Sequence, residues 1–446
     1  MYSLNKSPKA RGSSRAARES IGAAQPMESR SVLWAIQLLI CSLLGVYVWC
    51  AVSVYEAHRF SVRHNEASLQ RAIRLQPHDA NNFDLLGQYF MWDGQDPRVA
   101  AGQFQRAVQL NPYMSSYWIH LAQSENSLGN KTEEAAAVRK AIAVDPTTPD
   151  VAWTAANFLL IQGENQEALD QLAVVIRNDP WMADAALELG WRAVGDVEQI
   201  QQRMPADPEI YLKFVKLLVA KQQWSAADSV WSSTLRLNHD LDAGSALFYI
   251  DALLARQDVA AAQVAWKQIA ERSNRLQPYI TPGNLLVNAR FEKEFLNAAF
   301  DWHYSAQPDV AVALDSTQSY QGSGALLINY SGGSNEDAGL SQYVPVTPGV
   351  RYIASAWVKS EELQSANGPQ LTVNDAYRNQ EYARSEETLG TSSWHVVRAT
   401  FTVGGATNLV VVRFSRAPGS TLIRGRFWIN NVQMIPDAAD SVPSGH

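Results

Sequence analysis

Residues 83–112 read FDLLGQYFMWDGQDPRVAAGQFQRAVQLNP, and this stretch decides the fold because its landmarks return along the chain. It ends at Pro112, and other prolines stand at Pro77, Pro146 and Pro180, at intervals of 35, 34 and 34 residues. A fixed period of this length indicates supersecondary units that bury a core only by stacking on one another. We therefore expect an array of helical repeats to organise the chain.

The quoted stretch combines small and large apolar residues at helical spacing. Gly87, Ala100 and Ala107 are small enough to let two helices approach closely, while Phe104 fills the space between them. This pattern resembles the tetratricopeptide repeat, a helix-turn-helix unit. The resemblance covers residues 65–273 of a repeat domain that we place at residues 56–273, with its sharpest units before Pro180 and weaker units after it. An unrelated helical bundle of similar composition is the alternative.

The resemblance implies a binding scaffold whose first helices line a groove for a protein partner. The candidate groove residues are Asp84, Gln88, Gln123, Asn126, Trp153, Asn157 and Trp191, with Ile119 and Leu187 beside them. Amides can pair with the backbone of an extended peptide, and tryptophans can anchor its side chains. The alternative interpretation is that the tryptophans belong to the core and the amides are merely solvated.

The N-terminal region predicts a membrane anchor. Residues 1–30 hold six Lys or Arg against two Glu without hydrophobic periodicity, which predicts a disordered basic tail. Residues 32–55 carry no charge, and as a helix of about 36 Å they would span a bilayer. We therefore assign residues 31–55 to a transmembrane helix. The alternatives are a buried soluble helix and a cleaved signal peptide, although a cleavable apolar region is normally shorter.

Charge around this span predicts its orientation. Six basic residues precede it and four follow it closely, which favours a cytoplasmic N-terminus. The bulk of the chain would then be periplasmic or extracellular, anchored in a bacterial inner membrane by a single pass. The remainder of the chain is mildly acidic, which argues against a nucleic-acid partner. Both cysteines, Cys41 and Cys50, lie in the apolar stretch.

After a linker at residues 274–283 the hydrophobic period changes from about 3.6 to 2. Strand candidates cover residues 324–330, 339–346, 351–359, 370–374, 394–403, 408–415 and 426–435. Short strands separated by turn residues indicate an all-β sandwich, which we place at residues 284–436, followed by a disordered tail at 437–446. The predicted fold is multi-domain: one transmembrane helix, an all-α solenoid and an all-β jelly-roll sandwich.

A second resemblance rests on NLLVNARFE at residues 284–292, Trp302, QGSGALLI at residues 321–328 and FWINNVQM at residues 427–434. These segments resemble, in order, the carbohydrate-binding jelly-roll modules that accompany bacterial xylanases and cellulases. The resemblance implies a glycan ligand and no catalysis of the module's own. It also implies a structural calcium ion held by Glu292 and the last strand, where Asn430 replaces the usual Asp and weakens the site.

Strand alternation nominates a polar, glycan-binding face on the sandwich. The candidate residues are Arg351, Trp357, Gln370, Asn374, Tyr377, Tyr382 and Arg413. Aromatic rings can stack on pyranose rings, and planar polar groups can bind hydroxyls. A solvated sheet exterior without a ligand would show the same alternation.

The sequence carries none of the catalytic motifs that we searched for, including HExxH, Walker A and GxSxG. We therefore expect a non-enzymatic, membrane-anchored envelope scaffold that acts in the export or assembly of a surface polysaccharide. The repeat array would bind a protein partner and the jelly roll a glycan, with no cofactor beyond calcium. The alternatives are a protein-protein assembly factor whose sandwich binds no sugar, and a glycan-processing enzyme.

Overall fold

The computed structural model describes residues 27–237, 241–320, 324–378, 380–419 and 421–437. The chain divides into two compact units, residues 1–145 and residues 146–446. Most of the two predicted disordered tails, at residues 1–26 and 438–446, lies outside the described residues. The first described helix begins at Met27, four residues inside the predicted basic tail.

The first unit is helical throughout its described part. Its helices are α1 (Met27–Ser61), α2 (Glu66–Leu75), α3 (Ala80–Gln88), α4 (Pro97–Leu110), α5 (Ser115–Leu128) and α6 (Lys131–Val144). By length and composition, the part of α1 from Val32 to Ser61 is able to cross a membrane. The two helix pairs α3–α4 and α5–α6 correspond to the two sharpest repeats in the sequence.

The pairing of α3 with α4 follows from the residues that the sequence places there. Gly87 lies so close to the fully buried Phe104 ring that a Cβ atom at this position would be 2.5 Å from Cε1. Asp96 caps α4 by accepting the Val99 N–H at 3.1 Å, and Pro97 occupies the first turn, where its missing N–H costs no hydrogen bond. A short π-helical segment, Tyr89–Asp93, continues α3.

The described part of the second unit begins with eight α-helices. They are α7 (Pro149–Gln162), α8 (Asn165–Asn178), α9 (Ala183–Val194), α10 (Val197–Gln201), α11 (Pro208–Ala220), α12 (Trp224–Arg236), α13 (Ala243–Ala255) and α14 (Val259–Arg272). Gly163 ends α7 at a φ of +80°, a left-handed conformation that favours glycine. Helix α10 is only five residues long, because the chain must reach Pro205 and Pro208 soon after it.

Ten strands follow, after a 3₁₀ turn at Gln277–Tyr279 within the predicted linker. They are β1 (Trp302–Tyr304), β2 (Val310–Asp315), β3 (Ala325–Ser331), β4 (Asp337–Pro345), β5 (Arg351–Gln364), β6 (Gln370–Asp375), β7 (Glu381–Arg384), β8 (Gly390–Thr402), β9 (Leu409–Ser415) and β10 (Arg424–Pro436). All seven predicted strands are present, and β1, β2 and β7 are additional. Sheet A has the order β1-β4-β9-β6-β7 and sheet B the order β2-β3-β10-β5-β8.

The two antiparallel sheets enclose a core to which alternate residues of each strand contribute. In β5 the even positions from Tyr352 to Val358 are buried and the odd positions are more exposed. Trp302, Phe414 and Phe427 are among the largest side chains in this core. The arrangement is the predicted jelly-roll type of sandwich, in which each sheet has one face turned away from the shared core.

Candidate functional site

The predicted glycan-binding residues lie on two different sheets. Arg351 and Trp357 belong to β5 in sheet B, whereas Gln370, Asn374 and Arg413 belong to β6 and β9 in sheet A. The expectation that these three strands share one polar face is therefore corrected. Alternation along a strand separates inward from outward positions, but it does not assign the strand to a sheet.

The outward face of sheet A brings polar side chains of neighbouring strands into one row. Arg413 on β9 pairs with Ser341 on β4 and with Thr372 on β6, so the three side chains point to the same side. Asn374 is two residues from Thr372 on this same face. Two of the predicted residues, Arg413 and Asn374, thus lie on one face of sheet A, where Thr372 between them is only 1% exposed and shares a hydrogen bond with Ser415.

Beside this row lies a polar cleft of about 640 Å³. We call it the polar cleft; it is lined by Ser305, Gln307, Ser334, Asn335, Glu336, Asp337, Gly339, Ser341 and Arg413. Its volume is within the range of small-ligand sites, and none of these lining residues is aromatic. The cleft therefore offers hydrogen bonds and charge to a ligand, and no ring on which a sugar could stack.

An ion pair lies inside the polar cleft. The Arg413 guanidinium is 3.8 Å from the Asp337 carboxylate. Burial raises the pKa of Asp337, and the Gly339 N–H, which donates to this carboxylate at 2.6 Å, opposes the rise together with Arg413. The Arg413 side chain is about half exposed, so its guanidinium has donors available for ligand hydroxyls.

Gln370 is already engaged by the protein. Its amide donates to the Ser385 carbonyl at 2.7 Å, and its Oε1 accepts from Arg384 at 3.0 Å. Arg384 in turn makes two hydrogen bonds to the Glu381 carboxylate, which raise the pKa of Arg384. The network fixes β6 to β7, so Gln370 has a structural part in the sheet whether or not it also contacts a ligand.

The outward face of sheet B carries a cluster of aromatic rings. Tyr320 stacks on Trp357 with ring centroids 3.5 Å apart at 12°, and its ring lies 6.4 Å from that of Trp394. The Trp357 face that meets Tyr320 is closed to a ligand. Tyr320 lies in the connection between β2 and β3, where the sequence carries no periodic signal. Arg351, at the other end of β5, pairs with Asp437 at 3.2 Å.

The hydroxyl groups of the two predicted loop tyrosines make hydrogen bonds within the protein. Tyr377 Oη donates to the Leu254 carbonyl of α13 at 2.8 Å. Tyr382 Oη shares a 2.6 Å hydrogen bond with Thr407 Oγ1 and accepts the Gly404 N–H at 3.2 Å. Tyr377 is thus placed at the contact between helices and sandwich, and Tyr382 braces the edge of the sandwich.

In the first unit, the candidate groove residues include a buried polar cluster. Asp84 is only 3% exposed; its Oδ1 is 2.7 Å from His120 Nδ1, and its Oδ2 accepts from Gln88 at 2.6 Å. Asp84 and Gln88 are therefore held in a network with His120. Asn126 accepts from Lys131 at 2.8 Å. Gln123 remains partly exposed, and Ile119 is buried.

In the second unit, the candidate tryptophans are only partly buried. Trp153 and Trp191 pack against the helical core, and Trp191 meets Phe214 edge-on at a centroid distance of 6.0 Å. Asn157 donates to the Trp153 carbonyl at 2.8 Å. Leu187 is a core residue. Trp153, Asn157 and Trp191 combine packing with a remaining accessible surface, so both interpretations of these residues stay open.

The predicted calcium ligands differ in their surroundings. Glu292 is exposed, whereas Asn430 is fully buried and its Nδ2 donates to the Gly324 carbonyl. Within the described residues no group of three or more His, Cys, Asp or Glu side chains is arranged to hold a metal. Asn430 thus already has a structural partner, and calcium binding stays a prediction.

Comparison with known families bears on the sandwich. Residues 283–421 match the family model described as "Carbohydrate binding domain". The sandwich resembles carbohydrate-binding modules. Because the match covers about a third of the chain, it describes this domain and not the whole protein. No curated protein matches the chain in sequence.

Solved structures match each part separately. MamA is 15% identical at a TM-score of 0.25, over 38% of this chain and 84% of that chain, and PilF of Pseudomonas aeruginosa is 18% identical at 0.25, over 44% and 93%. The CBM22-1 xylan-binding domain of Paenibacillus barcinonensis Xyn10C is 16% identical at 0.24, over 33% and 90%.

Proposed function

We propose that this protein is a non-enzymatic scaffold of a bacterial envelope, anchored by α1, whose sandwich binds a glycan through the outward face of sheet A. The observation that carries the proposal is the carbohydrate-binding family match over residues 283–421. The polar cleft and the half-exposed Arg413 on sheet A supply the surface. Export or assembly of a surface polysaccharide is the process that such an anchored glycan-binding scaffold would serve.

We choose sheet A over sheet B because its outward face leaves more accessible space for a ligand. On sheet B one face of the Trp357 ring is covered by Tyr320, and Lys359 is engaged with Gln318 at 2.9 Å and with the Trp428 ring. On sheet A the polar cleft leaves about 640 Å³ for a ligand. Hydroxyl groups of a sugar can replace the water that solvates such a surface, provided that donors and acceptors match.

The experiment that tests the glycan proposal is an array of envelope polysaccharides probed with the full chain in nanodiscs, which avoids sugar-containing detergents. Arg413→Ala is expected to weaken binding roughly 10-fold, the loss of one hydrogen-bonded charged group. Trp357→Ala, on the opposite sheet, is expected to bind as the wild type does. Loss of binding in Trp357→Ala alone would transfer the site to sheet B.

We propose in addition that the helical repeats hold a protein partner. Partly exposed Trp153 and Trp191 supply anchors of the kind that dominate peptide recognition. Cross-linking in the native membrane should capture a partner that the double variant Trp153→Ala, Trp191→Ala no longer captures. Arg192→Ala, an exposed neighbour on α9, is the matched control. Equal capture by all three proteins would contradict this part of the proposal.

The absence of aromatic side chains from the polar cleft favours a second candidate function. Many sugar sites rely on ring stacking, so a purely polar cleft also suits a protein-protein assembly factor whose sandwich binds no sugar. A full chain that binds none of the arrayed polysaccharides, yet keeps its cross-linked partner, would support this second candidate.

A further inference from the structure

A second cavity lies where the helices meet the sandwich. We call it the junction pocket; it has a volume of about 420 Å³ and lies between α13 and the outward face of sheet A. Its polar lining comes from Asp251 on α13, His303 on β1, Tyr343 on β4, Tyr377 after β6 and Asn297. Cavities at domain junctions with a few convergent polar groups are common ligand sites.

The junction pocket continues the polar cleft along β4. Ser341 lines the polar cleft and Tyr343 lines the junction pocket, and both are outward residues of β4 separated by about 7 Å. His303 of the junction pocket pairs directly with Ser341 across β1 and β4. A ligand that lies along the polar cleft therefore reaches the junction pocket without leaving the sheet.

The helices close the far end of this path. Leu409, which pairs with Pro345 beyond Tyr343, is fully buried in a core cluster shared with the helices. The Tyr377 hydroxyl donates to the Leu254 carbonyl at 2.8 Å, and the Ala299 N–H donates to Asp251 Oδ1 at 2.6 Å. Since the face is covered there, a polymer cannot run across the whole sheet and must end at α13.

The pocket walls suit a sugar ring. The Tyr343 and His303 rings meet edge to face at 5.3 Å, which gives an aromatic wall that the polar cleft lacks. Burial, as the larger cause, and the neighbouring Tyr343 phenol together raise the pKa of Tyr377 to about 12. The Tyr377 hydroxyl group therefore stays protonated. Asp251 supplies a carboxyl oxygen as acceptor, and burial raises the pKa of Asp251 against the opposing Ala299 N–H and His303. Negative charge on this group disfavours an anionic sugar.

We propose that the junction pocket receives the terminal, uncharged sugar unit of a glycan that lies along the polar cleft, with Asp251 of the last helical repeat as a hydrogen-bond acceptor. The helical region is then part of the glycan site, and the protein recognises chain ends. This inference rests on the glycan-binding function proposed above. It adds that the glycan site is closed at one end and that one of its residues, Asp251, comes from outside the sandwich.

The test uses the full chain in nanodiscs with cellohexaose, xylohexaose, mannohexaose and length-fractionated polymers of the same sugars. Calorimetry should give one protein per polymer chain whatever its length. Asp251→Asn retains the Oδ1 acceptor for Ala299, and Tyr343→Phe keeps the ring but removes a hydroxyl group from the pocket lining. Each should weaken binding roughly 5- to 10-fold, the loss of one hydrogen bond to the sugar. Arg398→Ala, exposed on β8 of sheet B, should bind as the wild type does.

Three results would overturn the inference, and they separate it from the function on which it rests. Binding that Arg413→Ala weakens but that Asp251→Asn and Tyr343→Phe leave unchanged would remove the junction pocket and keep the glycan function. A number of bound proteins per polymer chain that rises with polymer length would also remove the junction pocket and keep the glycan function. No binding by the wild type of these glycans or of any arrayed envelope polysaccharide would remove both. Unchanged hydrogen exchange in α13 of each variant shows that a measured loss is not local unfolding.

Discussion

The substitution Gly87→Ala tests the packing that defines the helical repeats. The new Cβ would lie 2.5 and 2.7 Å from two carbons of the Phe104 ring, where ordinary contacts are about 3.5–4 Å. The ring must therefore move by roughly 1 Å inside a close-packed core. Such overpacking costs about 1–3 kcal/mol, and the better helix propensity of Ala returns at most about 1 kcal/mol. We expect a net loss of about 1–2 kcal/mol.

Gly102→Ala is the matched control, because it makes the same chemical change on the partner helix α4. Gly102 is exposed, and its added Cβ would meet nothing within 4 Å. Only the propensity term then acts, so stability should rise by about 0.5–1 kcal/mol. Adding Phe104→Leu to Gly87→Ala should relieve part of the clash, and the two losses should therefore be less than additive.

The assay is hydrogen exchange of the α3 and α4 amides in the full chain, read by mass spectrometry, because a multi-domain chain has no single unfolding transition. Gly87→Ala should speed exchange in both helices, and Gly102→Ala should slow it or leave it unchanged. Equal, small effects of the two substitutions would show that α3 and α4 do not pack through Gly87 and Phe104, and would refute the reasoning.

Two further predictions concern buried carboxyl groups. Burial raises the pKa of Asp301 to about 6, although hydrogen bonds from the Leu296 and Trp302 N–H groups oppose the rise. Ionisation of Asp301 therefore opposes folding, and the stability of the folded state falls as pH rises from about 4 to about 6. Asp301→Asn should remove this slope in pH-dependent denaturation and add about 2–3 kcal/mol at pH 7; an unchanged slope would contradict it. Glu134 is fully buried with Oε1 unpaired, so Glu134→Met, which keeps the buried volume without the charge, should raise stability by about 1 kcal/mol. The exposed Glu133→Met should be neutral, and a loss in Glu134→Met alone would show that the ion pair with Lys131 outweighs the cost of burial.

Helix pairing was predictable because it depends on local spacing. The proline period and the small residues marked the helix pairs α3–α4, α5–α6 and α7–α8, whereas the units after Pro180 were predicted only as weaker repeats. The side chains assigned to the groove were less predictable. Asp84 faces His120, 36 residues away, and a periodic pattern does not reveal that such a partner satisfies a carboxylate inside the repeat.

The sandwich shows the same limit. Alternation correctly divided β5 into buried and outward residues, but the sheet that holds β5 depends on strand order across the whole domain. Arg351 and Trp357 were therefore grouped with Arg413 although they lie on another sheet. The short strands β1 and β7 left too few residues for a period of 2 to show. His303 and Tyr343 were missed because their proximity to α13 is a long-range packing result.

The most direct test of the central claim is a hydrogen-exchange comparison of the full chain with and without a bound envelope polysaccharide. Glycan binding at sheet A should slow amide exchange in β4 and β9, around Ser341 and Arg413, and leave β5 and β8 of sheet B unchanged. Protection confined to β5 and β8, or no protection in the sandwich with any polysaccharide that the protein retains, would contradict the account.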